Sequence, residues 1–211
     1  MSYRILDRRI CSRCDIQEIN PRCRMYRLRF IEVVDNTFYK KEMPCACQLP
    51  PEIYPDASEW GPILWSILHG LAEKVGSTPF PQFQGDERRA LIRIMKSLVK
   101  VIPCPSCKEH YEVYLKEHPV DKILLTISYG ELKIYVKKWF WELHNWVNES
   151  LGRPLFLYSD LTSTYSSVNI RKRIRDLDIP LQKAIRLRAG QLFGYTEFIN
   201  QMKVFMSSVG V

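Results

Sequence analysis

Two cysteines stand two residues apart in IPCPSCKEHY, Cys104 and Cys107, with His110 and Tyr111 following. This spacing serves three chemistries: exchange through a redox disulfide, half of a zinc site, or a pair of buried thiols. Zinc needs four ligands, and in the central part of the chain only His69, His110, His118 and His144 could complete the set. Pro103 argues against an ordinary core turn. It places Cys104 at a predicted helix start, where free N–H groups and the helix dipole favour thiolate. A thioredoxin-like unit would require a strand ahead of the pair, and the preceding residues carry helical periodicity instead.

Two further segments carry chemistry-bearing residues at helical spacing. In WGPILWSILH, Trp65 and His69 lie four apart and share a face, with Leu68 beside them. In WFWELHNWVNESLGRP, Trp141, His144, Asn145 and Asn148 follow the i, i+3, i+4, i+7 pattern. Such a face is ill suited to a hydrocarbon core, because buried imidazoles and amides need hydrogen-bond partners. Flat aromatic rings beside them suit a planar ligand. The alternative is a partly exposed polar stripe.

The elements that must position these residues are mostly helical. WGPILWSILHGLAEKVG opens with a proline near its first turn and closes at Gly76. Asp86 is placed to cap DERRALIRIMKSLVKVI, whose Leu91, Met95, Leu98 and Ile102 form one apolar face. A short helix should follow Pro103. After a connection over 119–130, a long helix should end near Leu151-Gly152. These predict an all-α core, a four-helix bundle with a short fifth helix.

Three zones result: a cysteine-rich arm over 1–50, a core over 51–166, and a helical extension over 167–211. The arm contains RMYRLRFIEVVDNTFYKKE, which reads as a β-hairpin around Asp35-Asn36. QLPPEIYPD, with three prolines, reads as an extended linker. In the extension, amphipathic stretches fall at about 180–189 and 195–207.

With 211 residues, 46% of them hydrophobic, the chain can bury one core of ordinary size. No run approaches the ~20 apolar residues that span a bilayer, and the charged opening MSYRILDRRICSRC is not a secretory signal. The net charge of +8 clusters in NIRKRIRD, which reads as a solvated helix face; no nucleic-acid motif accompanies it, so no nucleic-acid partner is expected.

The three segments WGPILWSILHGLA, IPCPSCKEHYEVYL and FWELHNWVNESLGRP together resemble, in order and spacing, the Erv/ALR family of FAD-linked sulfhydryl oxidases. The WGP opening is most similar to members from large DNA viruses, whose setting would be the host cytoplasm or the virion. The resemblance covers about residues 58–166. It implies a helical bundle that holds FAD without a covalent bond, usually as a dimer. Such an enzyme oxidises protein dithiols to disulfides and passes the electrons to oxygen, giving hydrogen peroxide.

Carried over by position, the resemblance makes Cys107 the flavin-proximal cysteine and Cys104 the one that exchanges with substrate. It puts Gly61, Trp65, His69, His110, Tyr111, Trp139, His144, Asn145 and Asn148 around the cofactor. Several departures stand out. Pro62 replaces the usual arginine, Arg153 replaces the lysine of LGKP, and Tyr165 stands at the position of a family tryptophan. The second CxxC that often staples the end of the core is absent, with Leu157-Tyr158 where its first cysteine would be.

Five cysteines precede residue 48: Cys11, Cys14, Cys23, Cys45 and Cys47. Cys11-Cys14 or Cys45-Cys47 could shuttle electrons from substrate to the central pair. The rival is a zinc knuckle made by these four. A catalytically reduced assembly protein bearing such a zinc arm is the alternative to an enzyme. Cys23 is unpaired in either scheme.

Overall fold

A computed structural model describes residues 5–7, 27–34, 37–41, 55–187 and 192–210. The chain divides into two compact units, Met1–Glu52 and Ile53–Val211. In the first, β1 (Ile5–Asp7), β2 (Arg27–Val34) and β3 (Thr37–Lys41) form an antiparallel sheet in the order β1-β2-β3. Ile5 pairs with Arg29, and Val34 with Thr37. Residues 35 and 36 at the expected hairpin turn, the five arm cysteines and most of the proline linker lie outside the described residues.

The second unit is helical. α1 (Ala57–Lys74) starts one turn earlier than the proline suggested, because Asp56 and Glu59 form a capping box: Asp56 accepts from the Ser58 N–H and Glu59 from the Asp56 N–H. Pro62 therefore sits inside the helix. Gly76, at φ +74°, ends it in the left-handed conformation that glycine adopts without strain. α2 (Gln84–Val101) also begins early, growing out of a 3-10 turn at Pro81–Phe83. Asp86 does not cap it; its carboxylate lies in the first turn and pairs with Arg89 at 2.7 Å.

Cys104 caps α3 (Pro105–Glu117), and a short α4 (Asp121–Thr126) occupies the expected connection. α5 (Tyr129–Ser150) is capped by Ser128 and Glu131 and closed by Gly152 at φ +62°. α6 (Leu161–Tyr165) follows an irregular stretch. The extension differs from its expected pattern. α7 (Ile170–Arg186) starts ten residues early, because Asn169 accepts from the Lys172 N–H and NIRKRIRD becomes its first turns. α8 (Leu192–Ser208) completes the unit.

The core is built on Ile67, Leu71, Leu91, Ile94, Met95 and Phe140, all fully buried. α7 lies along α1 and α8 along α2. α8 inserts Phe198, Met202 and Phe205 into this same core. A side chain at Gly194 would collide with Lys100, so glycine there permits the close approach of α8 to α2. Beneath the opposite end, the buried Glu87 carboxylate accepts from the Gly76 N–H at 2.7 Å and from the Tyr129 hydroxyl at 2.5 Å, joining the ends of α1, α2 and α5.

Candidate redox and planar-ligand site

Cys104 has extended backbone angles and is the N-cap of α3, so the cysteine pair spans its first turn. The two sulfurs are joined in a disulfide with Cα atoms 5.2 Å apart. The Cys107 N–H donates to Cys104 Sγ at 3.2 Å, and the Ser106 hydroxyl lies 3.3 Å from the same sulfur. Both cysteines are half-buried against the core. On reduction, a sulfur at this position meets an N–H donor, a hydroxyl and the positive end of a 13-residue helix.

A second constellation lies along the seam of α1 and α5. Trp65, His69 and Glu73 follow one another at four-residue intervals on α1, as do Lys137 and Trp141 on α5, with His144 three residues on. Across the seam, the rings of Trp65 and His144 stack at 4.0 Å between centroids and 8° between planes. His69 Nε2 and His144 Nδ1 share a hydrogen bond of 3.0 Å. Tyr165 stacks on His69 at 4.6 Å. Phe156 lies parallel to His144 at 6.4 Å.

Both imidazoles are neutral at pH 7. Burial, then the neighbouring His144 and the Lys137 ammonium, pushes His69 down to about 3. Burial, then Arg153, pushes His144 down to about 4. A hydrogen bond between two ring nitrogens needs one donor and one acceptor, which the neutral forms supply. The unfolded chain takes up protons near pH 6.5, whereas the folded chain resists until about pH 4. The unfolded state thus binds more protons in that window, and stability falls as pH drops through it. At pH 5, still above the ordinary carboxylate range, each imidazole should have lost about 2 kcal/mol of its contribution. Urea midpoints at pH 7 and pH 5 check this; equal midpoints would show that the rings titrate as they do in the unfolded chain.

Residues 154–166 cross this seam. The Asn145 side chain clamps the Phe156 backbone, donating to its carbonyl at 2.9 Å and accepting from its N–H at 2.8 Å. Trp141 Nε1 donates to the same carbonyl at 2.7 Å, and Tyr158 meets the Trp141 ring edge-on at 5.5 Å. Asn145 therefore spends its amide on the crossing segment. Lys137, Glu73 and Phe156 were absent from the sequence-derived set, although Glu73 is four residues after His69 and Lys137 four before Trp141.

The remaining expected residues are placed apart. Tyr111 is buried, its hydroxyl donating to the Met95 carbonyl at 2.8 Å, and burial pushes its ionisation far up. Trp139 is buried against Tyr111 and Tyr114 of α3 and donates to the His118 carbonyl at 3.1 Å. It faces α3, with the seam on the other side of its helix. His110 is exposed, with Trp146 edge-on at 5.9 Å. A side chain at Gly61 would meet nothing within 4 Å. Asn148 is half-buried, and its carbonyl accepts from the N–H of the exposed Arg153 at 2.8 Å. Among the described residues, no cluster of three or more His, Cys, Asp or Glu could hold a metal ion, and no helix is long and apolar enough to cross a membrane.

Comparison with known proteins adds the family. A rice protein named FAD-linked sulfhydryl oxidase ERV1 is 29% identical over 120 residues, which is 57% of this chain and 56% of that protein. The chain thus spans little more than half of the rice protein's length. Invertebrate iridescent virus 6 has a protein named putative FAD-linked sulfhydryl oxidase 347L, 34% identical over 101 residues, 47% of this chain and 86% of that protein. The solved core of yeast Erv1 is 24% identical, with a TM-score of 0.39, covering 61% of this chain and all of that one. The model of the Erv1/Alr family matches residues 62–167, half of the sequence and the part that carries both the disulfide and the seam. This chain belongs to the Erv1/Alr family.

Proposed function

We propose that this chain is a FAD-dependent sulfhydryl oxidase that forms disulfides in protein dithiols and passes the electrons to oxygen, giving hydrogen peroxide. The observation that carries the reading is a helix-capping disulfide in the same bundle as a seam of stacked rings and neutral imidazoles. The related proteins are named FAD-linked sulfhydryl oxidases.

The seam suits the cofactor on its own chemistry. Flat faces of Trp65, His144 and Tyr165 match a planar heteroaromatic group, and neutral imidazoles can donate and accept hydrogen bonds without adding charge. Trp65, His69, His144, Asn148, Arg153 and Tyr165 would hold it, with Arg153 supplying a cation for the phosphates. When bound, the flavin supplies the two-electron acceptor that cysteines lack.

The protein's own chemistry is thiol exchange. A substrate thiolate attacks Cys104 Sγ, the Cys104–Cys107 bond breaks, and Cys107 leaves as thiolate. The second substrate thiolate then attacks the substrate sulfur of the mixed disulfide. The Cys104 thiolate departs, stabilised by the Cys107 N–H, the Ser106 hydroxyl and the helix dipole. One substrate disulfide has formed and one enzyme dithiol remains, with Cys107 as the member that delivers its electrons onward. A homodimer, which the family implies, would use faces other than those of α1 and α2 that α7 and α8 already cover.

The purified protein should be yellow, absorbing near ~450 nm as flavins do, and should consume oxygen when given a dithiol. A colourless protein that consumes none would sink the proposal.

A further inference from the structure

We propose that Lys137, Glu73 and Thr162 form a latch that holds residues 154–166 across the α1–α5 seam and sets how fast a bound cofactor escapes. This rests on the reading of the seam as a flavin site.

The crossing segment has little apolar burial to hold it. Leu155, Leu157 and Tyr158 are exposed, and Leu161 is its one fully buried side chain. Polar contacts do the holding. One end is fixed by the Asn145 clamp on Phe156. Further along, Lys137 Nζ lies 2.6 Å from Glu73 Oε1 and donates to Thr162 Oγ1 at 2.7 Å. The Thr162 hydroxyl in turn donates to the same Glu73 oxygen at 3.1 Å, closing a triangle across α1, α5 and α6. Lys133 stands 3.5 Å from the other carboxylate oxygen, and Lys137 also lies over the Tyr158 ring at 5.9 Å.

The ion pair at the centre is shielded from water, with the Glu73 side chain 3% and the Lys137 side chain 13% exposed. Burial pushes the Glu73 carboxyl up, but Lys137, Thr162 and Lys133 outweigh it and hold the group below its usual range. The carboxylate thus stays ionised at neutral pH. Buried pairs of this kind add little net stability over apolar residues of the same size. What they add is direction, and here the direction points at the one hydroxyl on the crossing segment that both charges can reach. Three residues beyond Thr162, Tyr165 covers His69. Releasing Thr162 frees the ring that closes the seam.

The test uses the full chain as purified. Thr162→Val removes the hydroxyl and leaves the ion pair, so the fold should keep a cooperative urea transition, its midpoint lowered only by the loss of that one bond. Flavin release, followed as fluorescence after dilution, should quicken about tenfold, as expected for losing a hydrogen bond to charged groups. Glu73→Gln and Lys137→Met should release faster still, and Lys137→Arg should stay near the wild-type rate. A second readout needs no flavin: chymotrypsin should cut after Leu155, Leu157 or Tyr158 several-fold faster in Thr162→Val. Unchanged release and unchanged cleavage in Thr162→Val would overturn the latch, while leaving a flavin-bearing wild type intact. A flavin-free wild-type protein would instead overturn the reading of the seam.

Discussion

Serine at position 107 is expected to abolish dithiol oxidation, by three orders of magnitude or more, while the cofactor remains bound. The oxygen of serine cannot form the disulfide through which two electrons leave the substrate. The substitution removes one sulfur from the first turn of α3 and leaves the seam residues untouched, so the yellow colour should survive. The two cysteines should then differ in a trapping experiment. In Cys107→Ser, the Cys104 thiolate can attack a single-cysteine substrate activated as a disulfide with a small leaving thiol; the small thiolate diffuses away, and no neighbouring thiol remains to resolve the mixed disulfide. That adduct should accumulate and be visible on a non-reducing gel. In Cys104→Ser, the remaining sulfur is the one assigned away from substrate, and the adduct should stay scarce. An adduct that forms on Cys107 and is absent from Cys104 would reverse the assigned roles.

Loss of α8 should be as damaging to the fold as loss of Cys107 is to the chemistry. Phe198, Met202 and Phe205 have no exposed surface, and they pack in the same cluster as Leu91, Ile94 and Met95 of α2. Cutting a phenylalanine to alanine in such a core removes transferred apolar surface and leaves a void, together about 3–5 kcal/mol. That is a large part of the ~5–15 kcal/mol that separates folded from unfolded domains. Phe205→Ala should therefore move the urea midpoint sharply down. A chain ending at residue 191 should fail to give a cooperative transition at all. Phe193→Ala provides the contrast: that ring is 76% exposed, and its removal should shift stability by less than about 0.5 kcal/mol. If Phe205→Ala behaved like Phe193→Ala, the extension would be an appendage and no part of the core.

The matched region ends at residue 167, before both extension helices. No cysteine follows Cys107 in the sequence, and the end of the matched region is held by the Asn145 clamp, the Lys137–Glu73–Thr162 triangle and the packing of α7 on α1.

Local features were legible in the sequence because they are made by residues a few positions apart. The cysteine pair at a helix start, the shared face of Trp65 and His69, and the glycines at 76 and 152 that end their helices all depend on neighbours within about four residues. Where that range failed, it failed for a local reason: Asp56 with Glu59 and Asn169 with Lys172 cap earlier than the apolar pattern alone suggested. What one-dimensional spacing could not decide is which helical faces meet. His69 and His144 bond across 75 residues of sequence, and burial in the packed seam is what keeps both rings neutral. Asn145 looked like a ligand group by its place on a polar face, yet its amide is satisfied by the backbone of Phe156. Trp139 and Trp141 are two apart on one helix, so one faces α3 and the other the crossing segment, and the choice belongs to the packing. By itself the sequence determined the helical core, the position of the cysteine pair at a helix start and the family. The tertiary structure decided the partners of the buried polar groups, because only side chains brought together from distant helices can satisfy an imidazole, an amide or a carboxylate that has left water.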